Sequence, residues 1–236
     1  MTAAEQIVAF LREAGGGEVS SRSMCERLGV SRAAVWKQIE SLRSSGYEIE
    51  ASSRRGYRLV RAPDTPFAAE VTPWLTTRRI GRDCRYVPET GSTNHDVAAA
   101  AAAAAEEGLV IVAGRQTAGR GRVMRVWFSP PEANLYFSVL LRPDLEPGRA
   151  ASLPLVVGLA VAEALKGLAP ETEPRIKWPN DILFGGKKVC GILCEMQAET
   201  DRVRHIIPGI GVNVNLTRAM FPVELRDRAT SLRIET

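Results

Sequence analysis

The sequence is poor in the residues that usually announce a disulfide framework or a metal site. It has four cysteines in 236 residues, too few and too scattered for a disulfide scaffold. No Cys-x-x-Cys pair occurs, and the two histidines, His95 and His205, are remote in sequence. No protein-held metal centre is expected. No run approaches the 18 consecutive apolar residues of a membrane span. Residues 1–10 contain Glu5 and show neither a basic start nor a small-residue cleavage site, so no signal peptide is evident. These absences lead to the expectation of a cytoplasmic protein with no membrane partner. There is also little excess charge: 31 basic against 27 acidic residues, a net of +4. With 45% hydrophobic and 25% charged residues, the chain has enough apolar material to fold.

What charge there is lies unevenly. Residues 1–62 hold 10 Lys and Arg against 7 Asp and Glu, and the rest of the chain 21 against 20. Pro63 and Pro66, with polar neighbours, mark 63–66 as a linker. The expected domains are therefore 1–62 and 67–236.

The first segment reads as three short helices and a hairpin. Thr2 and Glu5 have capping-box spacing, and Ile7, Phe10, Leu11 and Ala14 recur on one helical face. Gly15 to Gly17 stop that helix. A second helix spans Ser21 to Leu28, and Gly29 turns the chain. Ser31 caps a third, with Val35, Ile39 and Leu42 inward. Tyr47 to Ala51 and Tyr57 to Val60 alternate like the two strands of a hairpin. Helix, helix–turn–helix, then hairpin is the layout of a winged helix. Its third helix would enter the major groove of DNA, presenting Ser31, Arg32, Lys37 and Gln38. Arg54 and Arg55 at the wing tip would reach the backbone or minor groove. Arg and Gln suit bidentate base contacts, and Ser and Lys suit phosphates. A solvated protein-contact face would carry similar residues. Operator DNA is the expected partner, read by two copies on a two-fold site.

The second segment mixes strands and helices. Expected strands are 85–87, 109–113, 135–141, 175–178, 182–184, 189–197 and 203–215. Helices are expected over Asp96–Glu107, built on eight consecutive alanines, and Ala150–Leu168. The fold class is α+β, with a mixed, largely antiparallel sheet. The unusual stretch is Gly114 to Trp127, which holds Arg115, Arg120, Arg122 and Arg125 among three glycines. Four like charges so close repel one another unless a polyanion joins them, and glycine lets backbone approach a ligand. It is neither a Walker loop nor a dinucleotide fingerprint. An exposed basic loop would look the same taken alone.

It is accompanied by Gly91-Ser92-Thr93-Asn94, Lys177-Trp178-Pro179-Asn180-Asp181, Lys188-Val189-Cys190-Gly191-Ile192-Leu193 and Gly209-Ile210-Gly211-Val212-Asn213. Together these strings resemble the biotin–protein ligase family. With the winged helix in front, the resemblance is to its bifunctional bacterial form, which is also the biotin operon repressor. It runs from about Ser20 to Leu232. The resemblance implies an enzyme that joins biotin to ATP, releasing pyrophosphate, and passes biotin from the adenylate to a lysine of a biotin carboxyl carrier domain. Magnesium would accompany ATP. It implies that Arg120, Gly121 and Arg122 hold the biotin carboxylate and adenylate phosphate, with Lys188 the cation at the reacting centre. Ser92, Thr93, Asn94 and Gln116 match the biotin-binding positions. Trp127, Asn180 and Asn213 match positions near adenine or ribose, and Asp181 would orient the acceptor lysine or bind magnesium. A ligand-promoted homodimer would bind the operator. Two departures stand out. Met124 lies where the family has a glycine, and the sequence ends at Thr236, so the family's C-terminal SH3-like barrel is expected to be absent. These departures also admit a biotin-sensing transcription factor with weak or lost ligase activity.

Overall fold

The computed structural model describes residues 2–52 and 55–236. They form two compact units, divided between Leu75 and Thr76.

In the first unit, α1 (Ala3–Glu13), α2 (Ser21–Leu28) and α3 (Arg32–Ser44) precede β1 (Glu48–Ser52) and β2 (Gly56–Arg61). Side-chain oxygens start all three helices. Thr2 and Glu5 form the reciprocal capping box, Ser20 accepts from the Ser23 amide, and Ser31 from the Ala34 amide. Gly29, at φ 67°, takes the left-handed turn between α2 and α3. Ile7, Val8, Leu11, Met24, Val35, Ile39 and Leu42 make one core. Val19 exchanges two backbone hydrogen bonds with Tyr57 and so adds a third short strand to the wing. This is a winged helix.

The segment 63–66 does not separate the units. The prolines end β2, but Phe67 and Ala69 still pack on the first core, and α4 (Ala68–Val71) lies on the same unit. Glu70 accepts from the Tyr47 hydroxyl at 2.7 Å and pairs with Arg12. The Tyr47 and Phe67 rings stack with centroids 6.2 Å apart. Buried apolar side chains beyond the prolines move the boundary to Leu75.

In the second unit the order is β3 (Cys84–Thr90), α5 (Thr93–Ala102), β4 (Val110–Gln116), β5 (Asn134–Val139), α6 (Pro147–Ala150), α7 (Leu153–Leu168), β6 (Arg175–Lys177), β7 (Asp181–Phe184), β8 (Lys187–Ala198), β9 (Val203–Asn213) and α8 (Leu232–Glu235). The strands form one sheet, ordered β3-β4-β5-β9-β8-β7-β6. β3 and β4 are parallel, and the other neighbours are antiparallel. Each expected strand is present. The two-residue turn between β7 and β8 is Gly185-Gly186, at φ 53° and 83°, as primed hairpin turns require.

Strand alternation assigns the two faces of the sheet. On β9, Ile210 and Val212 pack with Ala162 and Leu165 of α7, as do Cys190 and Ile192 of β8. Ile207, on the alternate face of the same strand, joins Val97 and Ala101 of α5. Gly209 and Gly211 share that second face. The segment Pro147–Leu168 is long and apolar enough in composition to cross a membrane. Here its Gly158, Ala162 and Leu165 seat against the sheet.

Helix α5 differs from the expected Asp96–Glu107. It starts at Thr93 and ends at Ala102, with Ala104 left-handed at φ 62°. An alanine run has no stop signal of its own. The Arg142 guanidinium, donating to the carbonyls of Ala101 and Ala105, holds the chain where it turns away.

Candidate functional site

The parallel pairing of β3 with β4 places Thr90 beside Gln116. The start of α5 and the end of β4 therefore meet at one edge of the α5 face. Ser92, Thr93 and Asn94 are buried there. Ser92 stands at the helix N-cap, yet its side chain makes no capping hydrogen bond. The Thr93 amide donates to Gln116 Oε1 at 2.9 Å. Thr93 Oγ1 meets Ser138 Oγ at 2.7 Å, and Ser138 donates to Asn94 Oδ1 at 2.6 Å. Gln116 Nε2 donates to Ser129, whose hydroxyl donates to the Trp127 carbonyl. Four site residues expected from sequence are thus brought together. Ser138 and Ser129 complete the set, and nothing in their sequence neighbourhood distinguished them.

The basic stretch is a hairpin. The Gly121 amide donates to the Arg125 carbonyl, Arg120 bridges Val126, and the Trp127 amide donates to the Gly119 carbonyl. Its tip is Val123-Met124, both left-handed at φ 55° and 58°, a conformation costly for a β-branched residue. Val123, Met124 and Val126 face solvent. Arg120 NH2 lies 2.6 Å from Glu195 Oε2, which also accepts from Asn94 Nδ2 at 2.7 Å. Arg115 pairs with Glu89. Arg122 and Arg125 have no acidic partner among the described residues.

The hairpin delivers Trp127 onto the sheet. A Cβ on Gly191 would lie 2.8 Å from the Trp127 ring, and one on Gly211 would meet its indole nitrogen. Gly191 and Gly211 are register partners on β8 and β9, so the two glycines make a shallow trough in the α5 face. The buried indole N–H has no hydrogen-bond acceptor. Lys188 Nζ stands 5.0 Å from the centre of the same ring and 2.6 Å from Asp181 Oδ1. Asp181 Oδ1 is itself buried without an aligned hydrogen bond. The contact to Lys188 is therefore one of charge.

Two expected nucleotide contacts are otherwise engaged. The Asn213 amide nitrogen donates to the carbonyls of Thr230 and Lys188, and Asn180 donates to the Ile192 carbonyl. Both side chains tie backbone segments to β8, Asn213 at Lys188 and Asn180 at Ile192 beside Gly191. Trp127 is likewise on the glycine trough. Among the described residues no group of three His, Cys, Asp or Glu is placed to hold a metal ion.

In the first unit, Arg32 and Lys37 are exposed and Gln38 is half-buried on α3. Ser31 uses its oxygen as the helix cap. Arg55 faces Glu18 at 3.7 Å, and Arg54 lies outside the described residues. Sequence reasoning missed Trp36, which is 58% exposed on the outer face of α3. A large aromatic there carries a signal in its register, one turn after Arg32.

The model of the biotin/lipoate A/B protein ligase family matches residues 88–213, and an HTH domain matches residues 4–58. The chain is 43% identical over 231 residues to the bifunctional ligase/repressor BirA of Bacillus spizizenii, covering 98% of this chain and 71% of that protein. The chain belongs to the biotin–protein ligase family. The bifunctional ligase/repressor BirA of Escherichia coli is 34% identical over 213 residues, covering 90% of this chain and 64% of that one. Among solved structures, a biotin protein ligase from Aquifex aeolicus in complex with biotin and ATP superposes with a TM-score of 0.53 at 39% identity. It covers 65% of this ligase-family chain and 61% of its own. The Leishmania major biotin protein ligase bound to biotinyl-5-AMP gives a TM-score of 0.54 at 28% identity, over 65% and 64% of the two chains. The winged helix and the mixed-sheet unit are the architecture these matches describe.

Proposed function

We propose that the second unit activates biotin with ATP and transfers it to a carrier-protein lysine, and that the winged helix represses biotin genes. The observation that carries the reading is one juxtaposition. A polar floor of buried Thr93 and Asn94 with half-buried Gln116 adjoins a glycine trough flanked by Lys188 and an arginine hairpin. Hydroxyl and amide groups suit the ureido ring of biotin, which both donates and accepts. Arg120, Arg122 and Lys188 suit its carboxylate and the phosphates of ATP.

The chemistry follows from charge. A biotin carboxylate oxygen attacks the α-phosphorus, and the bond to the bridging oxygen of pyrophosphate breaks. Two anions must approach, so fixed cations at that point lower the barrier by several kcal/mol. The neutral amine of the acceptor lysine then attacks the mixed-anhydride carbonyl. It loses a proton to solvent or to Asp181, and AMP departs. Asp181, whose buried oxygen is held by the charge of Lys188 without an aligned hydrogen bond, also suits a magnesium ion brought by the triphosphate.

Ordering loop residues costs about 1–2 kcal/mol each, and the cation-rich hairpin 119–127 gains that from an anionic ligand. Occupancy thereby acts as a switch for a homodimer that binds operator DNA in the cytoplasm. The test is incubation with biotin, ATP, magnesium and a carrier domain, with biotinylation read by mass. Transfer supports the ligase. Neither adenylate nor transfer, beside biotin-dependent operator binding, identifies a sensor without ligase activity.

A further inference from the structure

We propose that Glu195 is a positioning residue for this reaction, fixing both the hydrogen-bond direction of the buried floor and the placement of Arg120. The proposal rests on the ligase reading above. Cys190, Ile192 and Cys194 of β8 pack towards α7. Gly191 and Glu195 alternate onto the opposite face, where Trp127 and Asn94 lie. A single oxygen, Glu195 Oε2, accepts from Asn94 Nδ2 at 2.7 Å and from Arg120 NH2 at 2.6 Å. It links the floor of the trough to the arginine hairpin above it.

An ionised carboxylate only accepts hydrogen bonds, so Asn94 must turn its nitrogen towards Glu195. The same nitrogen donates to the Leu193 carbonyl at 3.2 Å. Asn94 Oδ1 then points at Ser138, and because an amide oxygen cannot donate, the Ser138 hydroxyl gives its proton there. Ser138 Oγ must accept in its 2.7 Å contact with Thr93, whose hydroxyl proton is thereby committed. That proton is shared with Gln116 Oε1 as a longer second acceptor at 3.3 Å, and the lone pairs of Thr93 Oγ1 are left to accept from a ligand N–H. The carboxylate, by the shorter and charge-assisted contact, and the Leu193 carbonyl together set the polarity of a chain of buried groups. Gly209 makes it possible, since a Cβ there would overlap the Asn94 amide.

The Arg120–Glu195 pair is too exposed, at 47% and 38% of the two side chains, to be chiefly a stability device. Its consequence is geometric. Arg120 is held over Asn94 rather than released to solvent with Arg122.

The experiment compares wild type, Glu195→Ala and Glu195→Gln in steady-state adenylate formation, in calorimetric biotin binding without ATP, and in thermal melts. Glu195→Ala removes the acceptor, and its biotin KM and biotin Kd rise about tenfold or more, the scale of a lost charge-assisted hydrogen bond. Glu195→Gln still offers Asn94 an oxygen and recovers biotin affinity to within about threefold, but it loses the charge that aligns Arg120, so its kcat remains about tenfold down. Wild-type parameters in both variants overturn the proposal, as does a fall in every parameter that simply tracks a lowered melting point. If wild type binds biotin yet makes no adenylate, the ligase reading fails while the biotin affinities still judge Glu195. If wild type binds no biotin, both fail.

Discussion

Lys188 Nζ lies 2.6 Å from Asp181 Oδ1, across neighbouring strands at the edge of the glycine trough. The lysine is 30% exposed and the aspartate 24%, so each is largely withdrawn from water and each neutralises the other. An anionic ligand competes with Asp181 for this cation. Lys188→Ala should therefore reduce biotin-dependent pyrophosphate exchange by well over tenfold, in line with removal of a charge acting on the transition state. The neighbouring Lys187→Ala should leave it near wild type. Normal exchange by Lys188→Ala would remove Lys188 from the reacting centre.

The trough makes a second prediction. The Trp127 ring is rigid and lies against the Gly211 backbone, so Gly211→Ala forces the indole out of its place. Overpacking of this kind costs about 1–3 kcal/mol. Chemical denaturation should show that loss in the wild-type background, and most of it should vanish in a Trp127→Ala background, because the two changes share one contact. Equal losses in both backgrounds would mean that Trp127 does not occupy the trough in solution.

Much of this was legible in sequence, and the failures have physical causes. The strands were readable because runs such as Val110-Ile111-Val112 and Val203 to Asn213 carry sustained apolar or alternating patterns. The cluster of Thr93, Asn94 and Gln116 was found through motif resemblance, but the start of α5 was not. Ser, Thr and Asn read as loop residues even when they form a first helical turn. The hairpin 119–127 escaped because its turn is Val123-Met124 rather than a glycine pair. Phe67 and Ala69 were assigned beyond a linker, since two prolines outweighed the apolar residues after them. Glu195 had no motif. Its only signal was its place on β8, on the same face as Gly191.

The hairpin tip carries its own test. Two left-handed residues without glycine cost roughly 1–2 kcal/mol apiece, partly offset by glycine's greater freedom when unfolded. Met124→Gly should favour the folded hairpin by about 1 kcal/mol, which is about fivefold in population. Tryptic cleavage after Arg122 and Arg125 should slow accordingly in the unliganded protein. Unchanged or faster cleavage would show that the hairpin is not held by this turn.

On the winged helix, Arg32 and Trp36 sit one turn apart on the exposed side of α3. Arg32→Ala should weaken specific operator binding by about 1–3 kcal/mol and relax discrimination at one base pair. Trp36→Ala should weaken it too, through lost apolar contact with a base or sugar. Quenching of Trp36 emission by operator DNA provides an independent readout. Gel-shift affinities unchanged by both substitutions would move the DNA contact away from this helix.

The sheet interior yields a prediction about pH. Burial pushes the Cys190 thiol up to about 12 and the Cys194 thiol up to about 11, whereas an unfolded cysteine titrates near about 8.5. Folding therefore favours the neutral thiol. The stability that these groups contribute is fully present below the unfolded pKa and is lost as pH rises from there through the folded values. Between about pH 8.5 and 10.5 the unfolding free energy should decline, and Cys190→Ala should flatten that slope although it lowers stability at pH 7. In the native protein at pH 8.5, iodoacetamide should leave Cys190 unmodified for as long as the sheet stays folded, and modify it once denaturant is added. Rapid native-state alkylation of Cys190 would contradict its closure between β8 and α7.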